Sequence, residues 1–343
     1  MIFNNVVIES FGYAISDKVL SSDDIEMSLA PLYKRLNLPE GRLELMTGIS
    51  ARRMWETGTL PSSLSTMAAE KLLLTSKIER KQVDLLIHAS VCRDFLEPAT
   101  ASVVHANLKL SPHAMIFDLS NACLGVINSI VVAANMIENG QIKSALIVSG
   151  ENAGPLLTNT INELLTNPTI DRKNIKRFIA NLTIGSAATA IMLTHKSLSP
   201  DSPKLLGGAV ATDSSANHLC RGDGNPNSLI METNSEELLK YGTILARTTW
   251  NQCKNNLNLT NSDFDLVLTH QVGVAHEKLS LEALELTENK TYKTYPTLGN
   301  TGSSALPITL MKAFEEGHIH KGDKIALLGI GSGLSSIMLG VQW

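Results

Sequence analysis

Ala114-Met-Ile-Phe-Asp118-Leu-Ser-Asn-Ala-Cys123-Leu-Gly-Val-Ile127 changes its hydrophobic period at the middle. Residues 114–118 form a short apolar run closed by an acid, the pattern of a buried strand. Beyond the cysteine, Leu124, Ile127, Ile130, Val131 and Met136 recur at helical spacing. The stretch therefore predicts a strand over Met115–Leu119, a turn, and a long helix over Cys123–Glu138. It sets Cys123 in the first turn, where unpaired N–H groups and the positive end of the helix dipole stabilise a thiolate. A buried, inert cysteine fits the stretch equally well when it is read alone, since free cysteine is among the most buried residue types.

Working outward, the chain repeats itself. Asp84-Leu-Leu-Ile-His-Ala-Ser90 matches Asp265-Leu-Val-Leu-Thr-His-Gln271 at an offset of 181 residues. Lys143-Ser-Ala-Leu-Ile-Val-Ser-Gly150 matches Lys324-Ile-Ala-Leu-Leu-Gly-Ile-Gly331 at the same offset, and the strand-like runs from Ala187 and Leu334 also correspond. So long a period excludes a solenoid. It predicts two similar α/β halves, 1–200 and 201–343. Strands expected at Val6–Ala14, Val83–Ser90, Ser144–Ser149, Ala187–Leu193, Leu205–Thr212, Phe264–Thr269, Lys324–Gly329 and Ser335–Val341 alternate with helices, as in sheets covered by helices. Pro155–Phe178 is polar, with Asn-Pro and Asp-Arg-Lys steps, and reads as an irregular insertion over about 155–180, a cap or an interface segment. At the common offset Cys123 corresponds to Ser304, so two helix starts point at one central site.

Composition narrows the function classes. The 343 residues are 43% hydrophobic with a formal net charge of −4, which suits a buried globular core. No basic patch stands out, so no nucleic-acid partner is expected. No apolar run reaches the ~18 residues of a membrane helix. Met1-Ile-Phe-Asn-Asn5 does not resemble a signal peptide. Cys92, Cys123, Cys220 and Cys253 show no CxxC spacing, which argues against a zinc site or a disulfide framework and for a reducing cytoplasm.

Two further residues stand beside Cys123 as candidates. His270 closes the strand Asp265–Thr269, the end of a strand where α/β proteins face their ligands. Asn300 lies in Leu298-Gly-Asn-Thr-Gly-Ser-Ser304, just ahead of a helix, where a turn or cap role is the ordinary reading. Gly329-Ile-Gly-Ser-Gly-Leu-Ser-Ser336 is not a dinucleotide fingerprint, because a strand follows it and the chain then ends. Its turn suits an oxyanion hole instead. His318 and His320 read as a solvated turn, and no metal site is expected.

Taken together, Asn-Ala-Cys123, Thr-His270-Gln, Gly-Asn300-Thr and Gly-Ser-Gly-Leu334 resemble the thiolase-superfamily condensing enzymes of the ketosynthase III (β-ketoacyl-ACP synthase III) branch. Arg93-Asp-Phe-Leu-Glu97-Pro-Ala-Thr, Gly48-Ile-Ser-Ala-Arg-Arg-Met-Trp55 and Leu219-Cys-Arg-Gly222 are similar to the head-to-head acyl-CoA condensing family of bacterial olefin biosynthesis. The resemblance implies a thiolase fold of five αβαβα layers, a homodimer and a Cys123–His270–Asn300 site reached by an acyl-pantetheine arm. It implies that Glu97 reaches into the neighbouring active site. No resident cofactor or metal is implied, because the substrates travel on CoA or on acyl carrier protein phosphopantetheine. Arg42-Leu-Glu-Leu-Met46 stands where fatty-acid-initiating relatives carry Trp and Arg for the CoA adenine, so the carrier stays open.

The chemistry asks for these groups. A Claisen condensation becomes two steps if the first acyl chain is held on Cys123. Backbone N–H groups of Cys123 and Ser332 would hold the oxyanion, and His270 and Asn300 would stabilise the enolate of the second thioester. A malonyl extender forms its carbanion by losing CO₂. A simple acyl thioester must lose an α-proton to a positioned carboxylate, the role expected of Glu97. A non-decarboxylative condensing enzyme is therefore the first expectation and a decarboxylative ketosynthase III using malonyl-ACP or malonyl-CoA the alternative. A non-condensing acyl carrier or acyltransferase is the third.

Overall fold

The computed structural model describes residues 1–222 and 229–343. Nine strands form one sheet: β1 (Val6–Ala14), β2 (Leu85–His88), β3 (Met115–Asp118), β4 (Ser144–Glu151), β5 (Ala187–His195), β6 (Lys204–Thr212), β7 (Leu266–Thr269), β8 (Lys324–Gly331) and β9 (Ser335–Gln342). Their order is β3-β2-β4-β5-β1-β6-β9-β8-β7. The main helices are α1 (Pro61–Thr75), α2 (Thr100–Leu108), α3 (Gly125–Glu138), α4 (Gly154–Thr166), α5 (Ser235–Leu257), α6 (Val274–Ala283) and α7 (Ala305–Glu315).

The run β2-β4-β5-β1 is parallel at its first pairing and antiparallel at the next two. The run β7-β8-β9-β6 has the same order and the same directions. The two meet where β1 pairs with β6 at Val7 and Lys204. Along the strands, side chains alternate between two apolar surroundings, as the period of two requires. Leu85, Ile87, Ala145, Ile147, Leu266, Leu268, Ile325 and Leu327 share one cluster with α3 and α7. Leu86, Leu146, Val148 and Met192 face α1 and α2. Val267, Ala326, Leu328 and Met338 face α5. Both faces of each run are covered, which gives the αβαβα layers of a thiolase fold and explains why the strands read as continuous apolar runs.

Helix composition follows the layer. In α7 every residue from Ala305 to Met311 is buried, and α3 buries Val126, Ile127, Ser129, Ile130, Ala133, Ala134 and Ile137. A helix apolar around most of its circumference belongs between two sheets. The outer α5 buries only a stripe, Gly242, Leu245, Ala246, Thr249, Trp250 and Cys253, and leaves the rest to solvent. Among the described residues no helix is long and apolar enough to cross a membrane.

Two expectations are corrected. The strand pairing repeats, but in a different register. Leu85 pairs with Ala145 and Leu266 with Ile325, so Ala145 corresponds to Ile325 and not to Ala326. Val148 pairs with Ala190 and Leu328 with Met338, which moves the last strand match by two residues. A one-residue slip exchanges faces. Ala145 does face the central layer and Ala326 the outer one. Strands apolar on both faces hide such a slip from sequence comparison. The second correction concerns Pro155–Phe178, which is not irregular. It holds α4 and a 3₁₀ turn over Asn174–Phe178. Leu157, Ile161 and Leu164, at helical spacing among Asn and Thr, pack with Ile25 and Leu32 of the short helices Ser22–Ser28 and Ala30–Leu36 and with Leu29 between them.

Candidate active site

Cys123 sits two residues ahead of α3, not inside its first turn. Ala122 before it takes the left-handed φ of 47°. The start of α3 is tied down from across the molecule. Val126 N–H donates to Ser303 Oγ at 2.9 Å, and Ser303 Oγ donates to the Ala89 carbonyl at 2.5 Å. Only glycine fits at Gly125, where a Cβ would lie 2.9 Å from both the Ala89 carbonyl oxygen and Ser303 Oγ.

The second central helix begins in the same way. A 3₁₀ turn over Gly302–Ser304 leads into α7, so Gly302–Glu315 matches Gly125–Glu138 in length at an offset of 177. Both helices end at a residue with φ −85° and ψ 5°, Asn139 and Glu316. Each is followed by a left-handed glycine, Gly140 and Gly317, and each start is preceded by a left-handed residue, Ala122 and Gly299. Cys123 therefore corresponds to Asn300 and not to Ser304. The offset of 181 belongs to the preceding strands. The second half is four residues shorter between strand and helix, and no strand pairs there at the outer edge of β7 among the described residues.

Asn300 is fixed in one orientation. Its N–H donates to the Thr183 carbonyl and its carbonyl accepts from Gly185 N–H, both at 2.9 Å. Its Oδ1 accepts from Gly302 N–H at 3.0 Å, which leaves Nδ2 as the donor toward a ligand. His270 follows β7 directly and is 8% exposed. Its backbone N–H donates to the Leu328 carbonyl. Gln271 staples this strand end to the segment leading to Asn300. Its Oε1 accepts from Thr294 and Tyr295 N–H at 2.9 and 3.2 Å, while Nε2 donates to the Thr269 carbonyl. The turn carrying Ser332 arrives from β8. A Cβ on Gly331 would lie 3.0 Å from Leu124 Cγ, so this turn abuts the residue after Cys123.

The electrostatics change one expectation. Burial pushes the Cys123 thiol up to about 12, with the Glu151 carboxylate and Cys220 adding to the rise. Burial pushes His270 down to about 4, with His276 adding to the fall. Both shifts favour the neutral forms, a thiol at Cys123 and an unprotonated imidazole at His270, and burial opposes the thiolate that the helix start would stabilise. Glu151, at the end of β4, is 4% exposed and accepts N–H groups from Val91, Cys92 and Ser303 at 2.9, 3.2 and 3.1 Å. Sequence reasoning missed Gln271, Ser303 and Glu151. Gln271 and Ser303 adjoin the motifs, but nothing in residue type distinguishes them. Glu151, the one charged residue of β4, was the available signal.

Glu97 stands apart from this cluster. It lies in the segment 91–99 between β2 and α2 and is exposed, among Val91, Phe95 and Leu96 at 51%, 50% and 91% exposure. Among the described residues no group of three metal-ligating side chains converges.

This architecture has named relatives. Residues 117–214 and 254–343 match the families described as 3-oxoacyl-[acyl-carrier-protein] synthase III and its C-terminal part. The acyl-CoA:acyl-CoA alkyltransferases of Shewanella oneidensis and Xanthomonas campestris pv. campestris are each 38% identical, with all of both chains covered. A β-ketoacyl-[acyl-carrier-protein] synthase III of Aliarcobacter butzleri is 30% identical over 95% of this chain and 94% of its own. The crystal structure of Xanthomonas campestris OleA with bound lauric acid and lauroyl-CoA superposes with a TM-score of 0.94 at 37% identity, over 99% of this chain and 100% of that one. With these matches over its full length, the chain belongs to the 3-oxoacyl-[acyl-carrier-protein] synthase III family of condensing acyltransferases.

Proposed function

We propose that this protein joins two acyl-CoA molecules head to head, in a Claisen condensation without decarboxylation. The observation that carries the assignment of roles is the matched placement of Cys123 and Asn300 ahead of the two central helices, with His270 stapled to the Asn300 segment by Gln271. The relatives named as acyl-CoA:acyl-CoA alkyltransferases support the choice of substrate. Cys123 Sγ attacks the first thioester carbonyl and its proton passes to neutral His270, which returns it to the departing CoA thiolate. The oxyanion is held by the N–H groups of Cys123 and Ser332. Asn300 Nδ2 and the His270 N–H then hold the carbonyl oxygen of the second acyl-CoA while a carboxylate takes its α-proton. The carbanion attacks the acyl-Cys123 carbonyl, the C–S bond breaks, and a β-ketoacyl-CoA leaves with Cys123 reprotonated.

Glu97 is the base in this reading, and it serves the neighbouring protomer of a homodimer. Two features support that arrangement. The segment 91–99 exposes Phe95 and Leu96 beside the acid. The edge strand β3 pairs with no strand on its outer side among the described residues, which suits pairing with a second copy. The steps use side chains and backbone alone and call for no resident cofactor. The two halves, 1–200 and 201–343, each supply one helix start. The nucleophile needs a reduced thiol, so a cytoplasmic setting belongs to the same reading.

The test is to incubate the purified protein with lauroyl-CoA alone. Free CoA and a β-keto C24 product are expected, and Cys123→Ala should abolish both. Turnover that appears only after malonyl-CoA is added, and that survives Glu97→Ala, would instead make the protein a decarboxylative synthase. CoA release with acylated Cys123 and no β-keto product would leave acyl transfer alone.

A further inference from the structure

Glu151 is a buried carboxylate that the steps above do not use. Its side chain accepts backbone N–H groups from two different loops. Val91 and Cys92 open the segment that carries Glu97 outward, and Ser303 follows Asn300 by three residues. All three are donors, so the group between them has to accept at both of its oxygens. The fit is close on the other side as well. A Cβ on Gly302 would lie 3.1 Å from the Glu151 carboxyl carbon and from Oε1. Glycine at 302 leaves room for the carboxylate, and Gly302 N–H is the donor that orients Asn300.

We infer that Glu151 is a positioning residue for the second half-reaction, registering the Asn300 loop of its own site against the root of the Glu97 segment. The inference rests on the roles proposed above for Asn300 and Glu97. Neither of the loops it holds carries Cys123 or Ser332, which serve the first acyl transfer, and Ser303 braces the start of α3 through its Oγ whereas Glu151 holds only its backbone N–H. Loosening those two loops therefore leaves acylation intact, while condensation slows. A merely structural role would lower both steps together.

Glu151→Gln keeps the shape but turns a donor amide toward a backbone N–H. Single-turnover mixing with lauroyl-CoA should show acyl-Cys123 forming, by intact-protein mass, within about threefold of the wild-type rate. The β-keto product should form at least about tenfold more slowly, so that the acyl-enzyme accumulates. Glu151→Asp, which keeps the carboxylate but shortens its reach to the two loops, should skew the two steps in the same direction and decides the matter alone if Glu151→Gln does not fold. Equal losses in both steps, or an unskewed ratio, overturn the inference. The wild type run alongside separates the two assignments. Without β-keto product from wild type both fall, whereas product from wild type with unskewed variants removes only the role of Glu151.

Discussion

At the scale of single residues, burial pushes both Cys123 and His270 toward their neutral forms. His270 makes this measurable. Its imidazole holds a proton less readily in the folded state, at about 4, than at its ordinary value of 6.5. As pH falls through that window the unfolded chain binds the proton first, so stability is full above about 6.5 and is lost toward 4. The loss amounts to roughly 3 kcal/mol for this one group. Urea unfolding of wild type and His270→Gln between pH 7 and 4.5 checks it. The variant should lose part of the acid dependence, and parallel curves would refute the depressed value. His88, also pushed down to about 4 by burial, adds a second contribution that both proteins share. The placement of Cys123, His270 and Asn300 at element boundaries was legible in the sequence, because each sits in a short motif where one pattern gives way to another. Their protonation states were not legible. Burial decides those, and burial depends on the segments packed over the site rather than on the motif itself.

At the scale of elements, α3 is the most constrained piece. Gly125 allows its first turn to meet the Ala89 carbonyl and Ser303, and this contact sets where Cys123 stands. Gly125→Ala should cost about 1–3 kcal/mol by overpacking and should also slow acylation of Cys123 in the protein that remains folded. A variant of wild-type stability with wild-type acylation kinetics would show that the close approach is dispensable. Strand and helix identities were largely readable, as β1 illustrates with the same bounds expected and observed and α3 with the same C-terminal end. Registers were not. Apolar residues on both faces of β4 and β8 permit a one-residue slip, and a shorter connection before α7 moves the helix match by four residues. Repetition in a sequence locates equivalent elements, but only hydrogen-bond pairing and helix ends locate equivalent residues. α4 was hidden for a different reason, since its apolar stripe is narrow and faces a small satellite cluster rather than the main core.

At the scale of the whole molecule, the proposed reach of Glu97 into a second protomer has a decisive test. Mixing refolded Glu97→Ala and Cys123→Ala proteins produces heterodimers in which one site combines an intact Cys123 with an intact Glu97 from its neighbour. Activity should reappear from two inactive parents, measured as β-keto product from lauroyl-CoA. If Glu97 served its own site, every mixed dimer would stay inactive. The layered architecture was readable from the alternation of apolar strands and helices, while the exposed segment 91–99 was readable only through resemblance, because exposure is not a property of its sequence. The correspondence of Cys123 with Asn300 has a last consequence, for symmetry. Two identical half-molecules related by a true twofold axis would have to present the same residue at both positions, two thiols or two amides. Joining the halves into one polypeptide lifts that constraint. One position is then free to become a nucleophile and the other a hydrogen-bond donor, and the asymmetry of the reaction can be written onto a nearly symmetric frame.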